Sequence, residues 1–201
     1  MASQNEIANW TMDLLGETSI SDVNDSVERA ERLLAAWGPV RDAALRARWW
    51  RFSIERVSLA ADATAPTWGY ARQFTIEGDV VRVIQVDQYY PSVDLSDYRN
   101  MDTSPFSIEQ GKILTDLAAP LKVRWIVSSI DVGLWDPCFA KVMACDLADR
   151  LSTRITGSEN IKARIKSERV DALREAVRAN ALESPPQERG DGSWIASRLA
   201  V

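Results

Sequence analysis

The chain has 201 residues, enough for one sizeable domain or two small ones, and 46% of them are apolar, as in globular proteins at large. A formal net charge of −5 and a sequence pI near 4.9 leave no basis for a general attraction to DNA or anionic lipid. Histidine is absent, which removes Ser–His and Cys–His nucleophile pairs, every histidine-based zinc site and the commonest general base.

Residues 3–15 predict a helix, with Ile7, Trp10, Leu14 and Leu15 on one stripe and Gly16 as its stop. The polar run "ETSISDVNDS" offers Asp, Asn and Ser caps for a second helix starting near Asp25. There Val27, Ala30, Leu33, Leu34 and Trp37 recur at helical spacing, and Gly38-Pro39 is expected to kink or break the helix. Periodicity resumes with Val40, Ala44, Leu45 and Trp49. From about Ser53 the period changes to two, and "FSIERVSLA", "YARQFTI", "VVRVIQV", "FSIEQGKIL" and "LKVRWIVSS" predict strands. Glu109-Gln110-Gly111-Lys112 has the composition of a tight hairpin turn, and residues 88–104 read as a long loop. Helix returns over 136–157, capped by Asp136 with Pro137 in the first turn, and a last helix spans about 159–182. Residues 184–201, with two prolines and two glycines, read as a tail that ends in apolar groups.

The fold class expected from this order is α+β. An antiparallel helix bundle is built from both ends of the chain, with an inserted antiparallel β module and an extended C-terminal arm. The expected divisions are 1–52 and 131–183 for the bundle, 53–130 for the β module and 184–201 for the arm.

Charge is unevenly spread. Residues 1–31 hold seven acids against Arg29 alone, whereas residues 41–56 hold five arginines against Asp42 and Glu55. Such asymmetry implies complementary faces, within one subunit or between neighbours. The two cysteines, Cys138 and Cys145, lie seven apart on one helix. Their Cα atoms are then roughly 10 Å apart, beyond disulfide reach, so both are expected as reduced thiols of a cytoplasmic product. No signal peptide and no membrane-length apolar run are read.

Few motifs speak for chemistry. The nine glycines are scattered and match no phosphate loop. Asp22–Ser26 lacks the glycine and distal glutamate of an EF-hand, so capping is the better reading. Glu28/Glu31 and Asp146/Asp149 read as solvated helix faces. The basic-aromatic stretch "LRARWWRFSIERVSLA" (45–60) could be a nucleic-acid platform only if its rings were exposed. Trp49, Trp50 and Phe52 stand where a helix gives way to a strand, and we expect them to fill the seam between two layers while the arginines snorkel over it.

In order, Trp37, Arg41-Asp42, Leu45, Trp50-x-Phe52, Leu59, Pro66, Tyr70, Asp79 and Arg82-Val83 form a succession that resembles the tail tubular protein A family of short-tailed bacteriophages. The likeness extends over "LLGETSI" (14–20), "RDAALRARWWRF" (41–52), "TIEGDVVRV" (75–83), "FSIEQGKIL" (106–114) and "FAKVMACDLADRLSTRITGS" (139–158). Glu77-Gly78 departs from the family's Leu-Pro before Asp79. The resemblance implies a structural virion protein without catalysis, cofactor or metal. It implies a head-to-tail adaptor joining the portal protein to the tail nozzle protein as a dodecameric ring, with DNA passing through the centre without sequence-specific binding.

Arg41, Asp42, Trp50, Phe52, Asp79 and Arg82 carry the family motif. Trp194, Ile195, Arg198 and Leu199 of the tail are the expected contacts to the portal or an adjacent subunit. Two other readings compete: a small DNA-binding or packaging-associated protein using the basic segments 41–56 and 162–178, and an enzyme working through carboxylates alone.

Overall fold

The computed structural model describes residues 2–91, 105–128 and 131–183. Among these residues four α-helices frame two antiparallel three-stranded sheets. In chain order these are α1 (Gln4–Leu15), α2 (Glu28–Ala47), β1 (Ile54–Leu59), β2 (Arg72–Thr75), β3 (Val80–Val86), β4 (Phe106–Glu109), β5 (Lys112–Thr115), β6 (Leu121–Val127), α3 (Pro137–Ile155) and α4 (Glu159–Leu182).

Local chemistry starts and stops the helices. Ser3 and Glu6 close a reciprocal capping box on α1, and Gly16 ends it in the left-handed conformation (φ 74°). Asp136 accepts from the amides of Cys138 and Phe139, and Pro137 takes the position where a missing amide costs nothing. Ser158 caps α4. The expected cap of α2 is not used: Val27 precedes that helix without a side-chain bond, and Asp22 instead accepts from the amide of Asn24 in a local turn. Nor is α2 broken. Pro39 sits inside one continuous 20-residue helix, whose Leu33, Trp37 and Leu45 are buried on either side of it. Anchorage at both ends offsets the single ladder bond that Pro39 cannot donate to Ala35.

α3 is the central helix and packs against α1, α2 and α4. The pairs Lys141–Glu175, Asp146–Arg169 and Thr153–Lys162 have nearly constant index sums, so α3 and α4 run antiparallel. Asp146 is therefore no member of a solvated face: it is largely buried and receives the fork of Arg169 across the two helices. Trp10 and Leu34, expected inside, are exposed. The inward stripe of α2 is Ala30, Leu33, Trp37, Ala44 and Leu45, and Leu34 turns off its edge.

One sheet has the order β1-β6-β3 and the other β2-β5-β4. β6 alternates about its own plane. Val123, Trp125 and Val127 share a core with Phe74, Phe106 and Ile113 of the second sheet, whereas Ile126 joins Ile84 in the core of the helices. The first sheet is thus the middle layer of three, with β6 and β3 contributing to a core on either face and β1 as its more exposed edge. A register shift between Val83 and Gln85 on β3 lets Val83 and Val86 face the sheet side together, with Ile84 left for the helices. β4 and β5 form the expected hairpin: Gln110 (φ 48°) and Gly111 (φ 73°) are both left-handed, as a two-residue turn between twisted strands requires. Most of the expected 88–104 loop and the whole arm, with Trp194, Ile195, Arg198 and Leu199, lie outside the described residues.

Candidate functional site

The stretch 45–60 sits where the helical layer meets the first sheet. After α2 ends at Ala47, Arg48 is extended (φ −148°, ψ 165°), so neighbouring side chains point to opposite sides. Trp50 goes in: it is 2% exposed, and its Nε1 donates to the Ala44 carbonyl at 2.9 Å. Phe52 lies against it (centroids 6.3 Å), and both meet Phe139 of α3 at 4.9 Å. Trp135 closes the cluster edge-on to Phe139 at 5.1 Å and stacks on Trp37 of α2 at 6.0 Å. Five aromatic rings from α2, the connection to β1, and the start of α3 therefore fill the seam, which accounts for Trp50 and Phe52 as core.

Trp49 goes the other way. It is 44% exposed and stacks on Tyr90, itself 54% exposed, so the expectation that all three rings of this stretch fill the seam is corrected for Trp49. Extended backbone cannot bury two consecutive side chains in one layer.

Outside the aromatic cluster the joint is tied by arginines. Arg46 Nη1 donates to the Val81 carbonyl at 2.6 Å, and Arg82 Nη1 donates back to the Arg46 carbonyl at 3.2 Å. Asn180, near the end of α4, bridges the same connection: its Oδ1 accepts from the Arg51 amide at 2.8 Å, and its Nδ2 donates to the Trp49 carbonyl at 3.1 Å. Together these segments wall a cleft of about 500 Å³ with Arg48, Arg51, Arg82 and Arg124 on its lining and Ile54 and Val177 among its apolar residues. Arg124 Nη1 donates to Gln85 Oε1 at 3.1 Å, while its Nε is buried without a partner among the described residues. The guanidinium groups of Arg48 and Arg51 are exposed, and no described residue forms an ion pair with either. Four cations over an apolar floor suit a partner that brings carboxylates or phosphates together with some apolar surface.

The remaining motif residues have structural roles. Arg41 pairs with Asp42 at 2.9 Å on the half-buried flank of α2. The Asp79 carbonyl accepts from the amide and the hydroxyl of Ser128, locking the turn before β3 to the end of β6. Sequence reasoning missed Asn180, Arg124 and Trp135. Only Trp135 had a local signal, a large apolar residue directly before a helix cap.

A second cleft of similar size lies between α1, α3 and α4, lined by Trp10, Lys141, Arg164 and Glu168 among others. Burial pushes the Cys145 thiol up to about 11, and Cys138 is raised by burial and by Asp136. Both are free thiols, and the upward shifts leave each less thiolate at neutral pH than an ordinary cysteine has. Asp62 is held below the usual carboxylate range, first by Lys112 donating at 2.8 Å and then by Thr75. Among the described residues no cluster of three acidic or cysteine side chains could hold a metal ion, and no helix is long and apolar enough to cross a membrane. No family model and no curated protein matches this chain.

Proposed function

We propose that this chain is a head-to-tail adaptor of a short-tailed bacteriophage, placed in the virion between the portal protein and the tail nozzle protein. The observation that carries the reading is the ordered succession of family-like motifs over most of the chain, from "LLGETSI" to "FAKVMACDLADRLSTRITGS". The α+β fold, with helices on either side of the β segments in the chain, is compatible with it. Trp50, Phe52 and Arg82 support it further, because these motif residues make the joint between helices and sheet. In this reading the helices from both ends form an antiparallel bundle and the 184–201 arm docks on the portal. The protein catalyses nothing, takes no cofactor, and assembles as a dodecameric ring that lets DNA slide through.

The adaptor reading expects a portal gene beside this one, and co-expression with that portal protein tests the proposal. Negative-stain images should show rings on the portal, and deleting residues 185–201 should abolish them while leaving a helical monomer of nearly parental melting temperature. An arm equally protected from protease in free protein and in the portal complex would remove the docking role. Absence of rings with the full chain would remove the adaptor reading.

A second reading has an observation in its favour. The arginine cleft with the exposed Trp49 beside it is the arrangement a small DNA-binding or packaging-associated protein would use.

A further inference from the structure

We infer that the arginine cleft of one copy receives the acidic face of a second copy, formed by the α1–α2 connection and the start of α2. The contact runs head to tail. This inference rests on the adaptor reading only in supplying the lateral contact that a ring needs.

The charges on the two faces are not used up inside one subunit. Among the acids of 1–31, Glu17 and Glu28 pair with the nearby Arg29 and Arg32. Asp22 and Glu31 are exposed and form no ion pair with a described residue. Arg48 and Arg51 are in the same condition at the other face.

Geometry forbids the two faces from meeting within one copy. The acidic face surrounds the N-terminal end of α2 and the cleft lies past its C-terminal end, with Glu31 in the first turn and Arg48 just after the last. At 1.5 Å per residue those two positions are roughly 25 Å apart. Charges so far apart on a surface are screened from one another at physiological salt, where the Debye length is about 8 Å. Two different patches on opposite ends of one rigid helix make a heterologous contact when copies associate, and such contacts generate closed rings or open filaments. The chain as a whole is acidic, so carboxylates are the anion that every copy brings in excess.

The loop that presents the acids is itself fixed. Asn9 Oδ1 accepts from the Ile20 amide at 2.8 Å, and Asn5 Nδ2 donates to the Ser21 carbonyl at 3.1 Å. Little ordering is then required on docking.

Sedimentation velocity on the full-length chain at low salt tests this, with a cleft variant (Arg48→Glu with Arg51→Glu) and an acid-face variant (Asp22→Lys with Glu31→Lys). The parent should self-associate with an affinity that falls as salt rises. Each variant should weaken association by about tenfold or more, because each turns attraction into like-charge repulsion. Mixing the two variants should restore it, since the native acidic face meets the native cleft in one contact and the reversed charges meet in the other. A parent that stays monomeric at every concentration and salt, or a mixture that does not recover, overturns the inference. A cleft variant that associates normally but melts at lower temperature would mean that the chain's own 184–201 segment fills the cleft. One that associates normally but loses binding to a labelled oligonucleotide would assign the cleft to nucleic acid. Rings on the portal that persist in both variants would sink this interface and leave the adaptor reading intact. Rescue by mixing without rings on the portal would do the reverse.

Discussion

Replacing Trp50 by alanine removes the largest ring of the seam. Trp50 is 2% exposed, touches Phe52 and Phe139, and gives its indole N–H to the Ala44 carbonyl in the last turn of α2. Truncating a buried tryptophan costs about 3–5 kcal/mol through lost transfer energy and the cavity left behind. The orphaned carbonyl lies within this range, because a helix end can find water. Against a total stability of about 5–15 kcal/mol this is a large fraction. For a chain of this length it corresponds to a fall in melting temperature of roughly 6–20 °C, at about 2–4 °C per kcal/mol.

Trp50→Phe separates the two contributions, since it keeps a ring and removes only the donor and part of the volume. It should cost about 1–2 kcal/mol. Arg48→Ala, two residues away but exposed, should change stability by less than ~0.5 kcal/mol. Urea unfolding followed by far-ultraviolet circular dichroism reads all three at unchanged slope. If Trp50→Ala unfolds within ~0.5 kcal/mol of the parent, the seam does not depend on this ring and the packing argument fails.

Other outcomes follow from the same geometry. Duplex DNA should bind only weakly at physiological salt, because a net charge of −5 releases few counterions; sub-micromolar affinity in a fluorescence anisotropy titration would revive the nucleic-acid reading. Asp62→Asn should lower stability near pH 7 by under ~1 kcal/mol, a half-buried pair at the surface still being substantially screened. The folded value of Asp62 lies below its unfolded one, so its contribution is present above about pH 4 and lost as pH falls through the lower folded value. The urea midpoints of parent and variant should therefore converge as the pH is lowered below about 4, and a constant gap would refute the assignment. With its thiol at about 11, Cys145 should react with a disulfide reagent at pH 8 roughly 200-fold more slowly than in the unfolded chain, on thiolate fraction alone. Equal rates in native and urea-unfolded protein would show that Cys145 is not buried.

The elements themselves were legible where the signal lies within a few residues of chain. The Asp136-Pro137 start of α3, the 159–182 span of α4, all six strands and the Gln110-Gly111 turn follow from capping chemistry, period and the left-handed turn geometry that glycine favours. The α+β class follows from their order. Reading ran out where two local rules competed. Gly38-Pro39 looks like a break until the buried residues on both sides hold α2 together. Trp49 looks like core until the extended residue Arg48 shows that it and Trp50 must face opposite ways.

Only the tertiary structure decided which strands share a sheet, and with them the site. β1 pairs with β6 rather than with β2, so Arg82 and Arg124 come beside Arg48 and Arg51, and α4 adds Asn180 from near the other end of the chain. No spacing encodes that meeting. A helix or hairpin is selected by side chains a few positions apart, whereas a cleft assembled from four segments depends on which apolar faces bury one another, and burial is a property of the whole chain. The same division separates the charges: their imbalance between residues 1–31 and 41–56 is plain in the sequence, but the helix about 30 Å long that keeps the two faces apart is what leaves both open to a neighbour.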